Sequence, residues 1–219
     1  MTTKHVISLE GNIGAGKSTL LNLIKKHYKN EFDFIDEPVT EWESLKNNNK
    51  NLIEHFYENP ERWSYTFQLI ALRTRIQALE QSFNKNNDKE YIFMERSSLT
   101  DRYCFAENLY KTGKLNDIEW TDYKQSFTWL VSSFNACPDY IIYLRTEPKT
   151  CNLRIKSRNR DGESNIPMEY LNDLHNSHES WLNNTDTPVL HLDGSKDFKH
   201  DEDVLDDFLD SIDEFLRSK

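Results

Sequence analysis

The feature that most constrains the fold is the octet at residues 11–18, which reads G-N-I-G-A-G-K-S. It matches the spacing G-x-x-x-x-G-K-[ST] throughout and lies between a short apolar run, residues 6–9, and a helical pattern. Glycines let backbone N–H groups turn inward around phosphate oxygens, and the start of a helix adds positive partial charge. The octet therefore predicts a strand, a phosphate-binding loop and a helix, in that order.

Two side chains of the octet suit a nucleoside triphosphate, such as ATP, with a bound metal ion. Lys17 can reach the β- and γ-phosphates, and the Ser18 hydroxyl can bind Mg²⁺. Nucleotide binding alone does not distinguish a kinase from a GTPase or a structural nucleotide-binding protein. The residues predicted to bind the nucleotide in this part of the chain are Gly11, Asn12, Ile13, Gly14, Ala15, Gly16, Lys17, Ser18 and Thr19.

Short apolar runs alternate with longer helical patterns along the rest of the chain. The further runs occupy residues 32–35, 91–94, 140–144 and 189–192. Helical periodicity is clearest at residues 61–83, 170–181 and 204–216. Strands that alternate with helices indicate a parallel sheet covered on both faces. Because no repeat or linker interrupts the 219 residues, we predict an α/β fold with one domain, residues 1–219.

The composition excludes several classes of function. A net charge of −10 disfavours nonspecific binding to polynucleotides, which requires a basic surface. The three cysteines are far apart and odd in number, which matches neither a disulfide framework nor a zinc site. No apolar stretch approaches the length of a membrane span, and a strand that begins at Val6 leaves no room for a signal peptide. We therefore expect a cytoplasmic protein without nucleic-acid or membrane partners.

Charged residues follow the ends of the predicted strands. Glu37 follows the second apolar run, and Glu95 and Arg96 follow the third. In an open α/β sheet, ligands bind beyond the carboxyl ends of the strands. Phosphoryl transfer requires a carboxylate to orient or deprotonate the attacking hydroxyl, which suits Glu37, and positive charge to neutralise the phosphates. The helix predicted after the fourth run offers that charge in Arg154, Arg158 and Arg160.

A series of short motifs extends over nearly the whole chain. They occupy residues 11–19, 37–39 with Trp42, 60–68, 95–97, 101–103, 143–145, 154–163, 167–171, 178–181 and 197–199. In these residues and this order the chain resembles the deoxyribonucleoside kinase family. It is most similar to the branch that contains deoxycytidine, deoxyguanosine and deoxyadenosine kinases.

The resemblance implies a five-stranded parallel sheet flanked by helices, a helical lid at about residues 154–165, and a homodimer. It implies transfer of the γ-phosphate of ATP, with Mg²⁺, to the 5′-hydroxyl of a deoxynucleoside. In such an enzyme Glu37 is the base toward the hydroxyl, and Arg96 holds the hydroxyl and the transferring phosphoryl group. Glu95 contacts Mg²⁺ through water. The lid arginines are Arg154, Arg158 and Arg160, and the loop that contacts the donor base contains Asp197 and Phe198.

The resemblance also implies an acceptor pocket. Tyr57 and Glu163 bind the 3′-hydroxyl, and Gln68 pairs with the edge of the base. The side chains expected to pack around the base are Trp42, Phe67, Phe105 and Phe56, the last bulkier than some of its counterparts in the family.

Ala71, Arg75 and Asp101 resemble the residues that select the base in this branch. Arg75 lies two helical turns beyond Gln68, so both can face one pocket. An ionised Asp101 only accepts hydrogen bonds, which suits the amino group of cytosine or adenine, and guanine through Arg75. Thymine presents a carbonyl oxygen and a methyl group instead. We therefore expect deoxyadenosine, deoxyguanosine or deoxycytidine to be preferred over thymidine, with a slight lean toward purines. The alternative is an Arg–Asp pair on the surface, which would contribute little.

Two other functions remain open on the sequence. A nucleoside monophosphate kinase similar to thymidylate kinase would carry the same phosphate loop, but the segment W-S-Y-T-F-Q at residues 63–68 suits a neutral nucleoside better. A noncatalytic structural subunit with a kinase-like fold would be expected to have lost Lys17, Glu37 or Arg96, and all three are present.

Overall fold

Five parallel strands form the central sheet of the structure, a computed structural model that describes residues 4–158 and 166–218. The strands along the chain are β1 (His5–Glu10), β2 (Phe32–Ile35), β3 (Lys46–Asn47), β4 (Lys50–Asn51), β5 (Tyr91–Glu95), β6 (Tyr140–Arg145) and β7 (Val189–Asp193). The order in the sheet is β2-β5-β1-β6-β7, and β3 pairs separately with β4 in an antiparallel hairpin. Each strand of the sheet contains one of the five apolar runs, so the predicted five-stranded parallel sheet is confirmed.

Helices connect and cover these strands. They are α1 (Lys17–His27), α2 (Val39–Ser44), α3 (Leu52–Glu58), α4 (Pro60–Phe83), α5 (Ser98–Thr100), a π-helix (Asp101–Ala106), α6 (Glu107–Lys111), α7 (Asp117–Phe134), α8 (Pro148–Arg158), α9 (Met168–Leu182) and α10 (Glu202–Arg217). The three segments with clear helical periodicity correspond to α4, α9 and α10. Helix α4 begins where the sequence predicts, with Pro60 in its first turn and the Asn59 side chain accepting a hydrogen bond from Arg62 N.

Both faces of the sheet are buried, which explains why its strands are almost continuously apolar. On one face, α1 and α10 pack against the strands and bury side chains such as Leu20 and Ile212. On the other face, α4, α6 and α7 bury Leu72, Leu109 and Tyr123 among others. The fold is therefore a parallel sheet with helices on both sides, as the sequence predicts.

The strand register brings the carboxyl ends of the strands to one edge of the sheet. Leu9 of β1 pairs with Glu95 of β5, and Ile35 of β2 pairs with Met94. The segments that leave these strands therefore begin side by side, which places the phosphate-binding loop next to the residues that follow β2 and β5.

Two predictions concern segments that lie partly outside the described residues. The lid was expected at about residues 154–165, and the structure describes its first part as the end of α8. Arg160 and Glu163 lie outside the described residues. Within residues 4–158 and 166–218, no helix is both long enough and apolar enough to cross a membrane.

Candidate active site

The phosphate-binding loop connects β1 to α1 and contains three glycines with positive φ: Gly11, Gly14 and Gly16. At Gly14 the φ angle is 76°, and a Cβ atom would lie 2.5 Å from the carbonyl oxygen of Cys151. A side chain there would both strain the backbone and displace α8, so only glycine fits. The loop residues line one end of a pocket in front of the N-terminus of α1.

Lys17 begins α1 and is almost completely buried in the loop. Its Nζ donates a hydrogen bond of 2.8 Å to the carbonyl oxygen of Asn12. Burial, followed by the charge of Arg96, lowers the pKa of Lys17 to about 8, although Glu95 and Glu37 oppose the shift. A phosphate group would supply the negative charge and the acceptors that favour a charged ammonium group at this place.

Ser18 and Glu95 place oxygen atoms beside Lys17. The Ser18 hydroxyl donates to Glu95 Oε1 at 3.1 Å. Oxygen ligands are those that Mg²⁺ prefers, and the ion commonly binds through one or two protein groups, substrate phosphates and water. Among the described residues, no group of three or more His, Cys, Asp or Glu side chains could hold a metal ion. Ser18 and Glu95 are protein groups of the kind that bind Mg²⁺ together with a triphosphate.

Helix α8 and the loop after β7 close the other side of the phosphate-binding loop. Arg154 Nη1 donates a hydrogen bond of 2.7 Å to the carbonyl oxygen of Ala15. Phe198 is buried, and its ring lies so close to Gly16 that a Cβ there would be 3.0 Å from Phe198 Cζ. These contacts put an arginine of the predicted lid and a residue of the predicted donor loop on the phosphate-binding loop.

Glu37 forms the centre of an ion network beside the loop. Arg96 Nη1 donates to both carboxylate oxygens of Glu37, at 2.6 and 2.8 Å, and Arg75 Nη2 donates to Oε1 at 3.2 Å. Burial would raise the pKa of Glu37, but the charges of Arg96, Arg75 and Lys17 outweigh it and lower the pKa to about 2. Glu37 is therefore ionised at neutral pH.

Arg75 connects this network to a second buried carboxylate. Its Nε donates to Asp101 Oδ2 at 2.9 Å and its Nη2 to Asp101 Oδ1 at 3.3 Å, while Nη1 donates to the carbonyl oxygen of Glu95 at 2.8 Å. Both residues of the pair are only 2% exposed. Burial would lower the pKa of Arg75, but the charges of Asp101 and Glu37 raise it above its ordinary value. The Arg75–Asp101 pair is therefore buried, and it is not the surface ion pair that the sequence left open as the alternative.

Arg96 has an unusual backbone conformation directly after β5. Its φ angle is 61°, in the left-handed region that non-glycine residues rarely adopt. Such a conformation costs about 1–3 kcal/mol and persists only where the surroundings impose it. It turns the Arg96 side chain toward Glu37, with the guanidinium carbon 5.0 Å from the centre of the Phe105 ring.

Asp101 and Phe105 both face the pocket from a segment that is π-helical. The π-helix spans Asp101–Ala106, and both side chains line the pocket. A π-helix is rare and often occurs at functional sites. Nothing in the sequence pattern predicted it.

The pocket has a volume of about 550 Å³, and aromatic side chains form one wall of it. Phe67 stacks on Phe56 with ring centres 4.7 Å apart and meets Trp42 edge-on at 5.3 Å. Gln68 is 1% exposed, and its Oε1 has no hydrogen-bond partner among the described residues. A buried amide oxygen without a partner is unfavourable unless a ligand supplies a donor.

Comparison with known proteins decides the family. The family model described as deoxynucleoside kinase matches residues 7–217. The chain belongs to the deoxynucleoside kinase family. Deoxycytidine kinase of Homo sapiens is 40% identical to it, over 96% of this chain and 90% of that protein. Deoxycytidine kinase 1 of Xenopus laevis is 39% identical, over 96% and 89% of the two chains. Mitochondrial deoxyguanosine kinase of Xenopus laevis is 35% identical, over 96% and 89%.

This chain is accordingly a deoxynucleoside kinase, and the match favours neither of the two alternative functions. Most residues that the sequence assigned to the site lie in the pocket. Within the described residues, those that line it are Ile13, Gly14, Gly16, Lys17, Ser18, Thr19, Glu37, Trp42, Phe56, Tyr57, Phe67, Gln68, Ala71, Arg75, Glu95, Arg96, Asp101, Phe105, Arg154, Arg158, Asp197 and Phe198. Gly11, Asn12 and Ala15 shape the loop without lining the pocket. The individual roles of all these residues stay predictions.

Several residues of the kinase pocket were not assigned a role from the sequence. They are Val39, Ile53, Ser157, Tyr170, Lys199 and His200, whereas Lys196, which also lines the pocket, belongs to the loop that the resemblance assigns to the donor base. Helical spacing could have indicated Ile53, which lies three residues before Phe56 on α3 and therefore on the same face. Lys199 and His200 follow Asp197 and Phe198 in a loop, where no periodicity reports which side chains point inward.

Proposed function

We propose that this kinase transfers the γ-phosphate of ATP to the 5′-hydroxyl of a deoxynucleoside, with Mg²⁺ beside the phosphates. The observation that carries the proposal is the place of Glu37. Its carboxylate lines the same pocket as Lys17 of the phosphate-binding loop and the aromatic wall around Phe67, and Arg96 holds it there. A nucleoside whose base lies against this wall would present its sugar hydroxyl to Glu37.

Base recognition follows from the polar groups that line the same pocket. The free Oε1 of Gln68 can accept a hydrogen bond from a base amino group, and Arg75, which pairs with the buried Asp101, lies two turns further along the same helix. We propose that cytosine, adenine and guanine are accepted and thymine is disfavoured. The names of two relatives, deoxycytidine kinase and deoxyguanosine kinase, support this choice.

The reaction forms one bond and breaks one. The 5′-oxygen attacks the γ-phosphorus, the bond from that phosphorus to the bridging oxygen breaks, and ADP leaves. With a pKa of about 2, Glu37 first accepts a hydrogen bond from the hydroxyl and takes its proton as the new oxygen–phosphorus bond forms. Arg96 and Lys17 offset the negative charge of the transferring phosphoryl group.

Ser18 would hold Mg²⁺ directly and Glu95 would hold it through water. When bound, the ion neutralises charge on the β- and γ-phosphates. The hydrogen bond between Ser18 and Glu95 already brings the two oxygen ligands together next to Lys17. We also propose that Arg154 and Arg158 contact the phosphates and that Asp197 and Phe198 contact the donor base, because all four line the pocket. We propose Arg160 as a further lid arginine and Glu163 as a residue that binds the 3′-hydroxyl, and both roles rest on the family resemblance.

We further propose that the chain forms one domain and assembles as a homodimer through its helices. The outer side of α7 supports an interface, because Trp129 is 67% exposed and Ile118 is 82% exposed. Aromatic side chains such as Trp129 are enriched in interfaces relative to the rest of the surface. Light scattering after size-exclusion chromatography would test the dimer.

A steady-state panel tests the proposed activity. Deoxycytidine, deoxyadenosine, deoxyguanosine, thymidine and one deoxynucleoside monophosphate are each incubated with ATP and Mg²⁺, and the products are identified by chromatography. We expect 5′-monophosphates from the first three, little product from thymidine, and no phosphorylation of the monophosphate. Preferred use of the monophosphate, or no turnover with any nucleoside, would contradict the proposal.

A further inference from the structure

A buried carboxyl group that the proposed reaction does not use lies next to the end of β5. Glu10 is the last residue of β1, immediately before the phosphate-binding loop, and its side chain is completely buried. Burial raises the pKa of Glu10, and hydrogen bonds from Thr100 and Ser97 oppose this shift. A carboxyl group in such a place is unfavourable unless hydrogen bonds hold it, so its partners indicate what it does.

Both oxygens of Glu10 are held by the turn that follows Arg96. The Ser97 hydroxyl donates to Glu10 Oε1 at 2.7 Å, and the Thr100 hydroxyl donates to Oε2. The Thr100 hydroxyl also accepts a hydrogen bond of 3.2 Å from the backbone N–H of Ser97. Glu10, Ser97 and Thr100 thus form a closed ring of hydrogen bonds around the start of α5.

This ring of hydrogen bonds holds the peptide group that follows Arg96, the residue with the left-handed backbone conformation. On the other side, the backbone N–H of Arg96 donates to the carbonyl oxygen of Leu9 at 3.0 Å. The peptide groups before and after Arg96 are therefore both tied to β1, the first directly and the second through Thr100 and Glu10. A non-glycine residue keeps a positive φ only where its surroundings determine it, and these bonds provide that constraint.

We propose that Glu10 is a positioning residue for phosphoryl transfer. Through the hydroxyl groups of Ser97 and Thr100, it fixes the backbone conformation that aims Arg96 at Glu37 and at the transferring phosphoryl group. The inference rests on the proposed function, in which Arg96 contacts that group. Because the Glu10 side chain is hydrogen-bonded to Ser97 and Thr100, we expect loss of its carboxylate to lower kcat and to leave KM for both substrates close to that of the unmodified enzyme.

The chain offers a matched control in Asp33, another buried carboxylate of the same sheet. Asp33 on β2 accepts hydrogen bonds from Lys4 Nζ at 2.9 Å and from Asn87 Nδ2 at 3.1 Å, and it does not line the pocket. We expect Glu10→Gln to lower kcat about 10- to 100-fold, as a small displacement of a reacting group does. Asp33→Asn should reduce thermal stability while leaving kcat unchanged.

A second pair of variants keeps the inference testable if Glu10→Gln does not fold. Thr100→Val preserves the shape of the side chain and removes the hydroxyl that joins Ser97 N–H to Glu10, whereas Thr100→Ser retains that hydroxyl. We expect kcat to fall in the valine variant and to stay near the unmodified value in the serine variant. Equal kcat values in the two variants would overturn the inference.

The decisive readout is a double-mutant cycle with Arg96→Lys. If Glu10 acts through Arg96, Glu10→Gln lowers kcat in the unmodified enzyme but causes little further loss of kcat in the Arg96→Lys variant. The same fold-loss in both backgrounds, or a kcat of Glu10→Gln no lower than that of Asp33→Asn, would sink the inference. Failure of the proposed function looks different, because Arg96→Lys itself would then leave nucleoside phosphorylation unchanged.

Discussion

The donor end and the acceptor end of the pocket are built in different ways. The donor end is built around one contiguous stretch, residues 11–18, whose backbone curls in front of α1 and would contact phosphate largely through N–H groups, with Arg154 and Phe198 packed against it. The acceptor end is assembled from side chains that α2, α3, α4, β5 and the π-helix bring together. The comparison teaches that binding of a phosphate chain follows from a local motif, whereas recognition of a nucleoside depends on tertiary structure.

The two ends also differ in how their positive charges are paired. In the described part of the chain, Lys17 and Arg154 donate hydrogen bonds to backbone carbonyl oxygens, so their charges are available to an anion. Arg75 and Arg96 instead form salt bridges with Glu37 and Asp101, so these four side chains together carry little net charge. The donor end therefore suits a triphosphate, and the acceptor end suits a neutral nucleoside better than a nucleotide.

Of the changes that test this difference between the two ends, the one expected to have the largest effect on activity is at the donor end. Lys17→Ala removes the buried cation, and kcat should fall by at least about 10²–10³, as losses of single charge-stabilising donors do. The fold should persist, because Lys17 makes its hydrogen bond only to the loop itself. Lys26→Ala, on the exposed side of the same helix, is the control and should retain full activity. Unchanged turnover in Lys17→Ala would mean that the donor site lies elsewhere.

A smaller effect is expected when the acceptor end loses its charged pair. Arg75→Met combined with Asp101→Ala should raise the kcat/KM ratio of thymidine to deoxycytidine by about 10- to 100-fold. The two changes belong together, because Arg75→Met alone leaves Asp101 buried without its partner. Arg73→Met is the control and should leave the ratio unchanged, because Arg73 lies on the same helix two residues before Arg75 and is exposed. An unmodified enzyme that already prefers thymidine would show that the pair does not select the base.

The smallest expected effect is a dependence of kcat/KM for ATP on pH, which arises at the donor end. Because burial lowers the pKa of Lys17 to about 8, kcat/KM for ATP should decline as the pH rises above that value and Lys17 loses its proton. Saturating ATP should suppress the decline in kcat, since bound phosphate favours the charged lysine. Lys17→Arg should remove the decline. A profile that stays flat up to the ordinary lysine pKa of about 10.4 would show that Lys17 is not perturbed.

The same contrast explains how much the sequence could predict. The strands, the glycine loop and helices such as α4 follow from local patterns, and the structure agrees with them. The pairing of Arg75 with both Asp101 and Glu37 depends on how α4 packs over β5 and the π-helix, which no local pattern specifies. Resemblance to a family supplied these residues as candidates. It did not supply the left-handed conformation of Arg96, which is fixed by contacts distant in sequence.

We propose that the Glu37 carboxylate serves the attacking hydroxyl at the junction of the two ends. Glu37→Gln keeps the shape of the side chain and removes its charge, and Glu41→Gln, exposed on α2, is the matched control. Single-turnover and steady-state rates of deoxynucleoside phosphorylation should show kcat about 10²- to 10⁴-fold lower in Glu37→Gln, with nucleoside affinity changed far less. A loss confined to nucleoside affinity, with kcat equal to that of Glu41→Gln, would contradict the account.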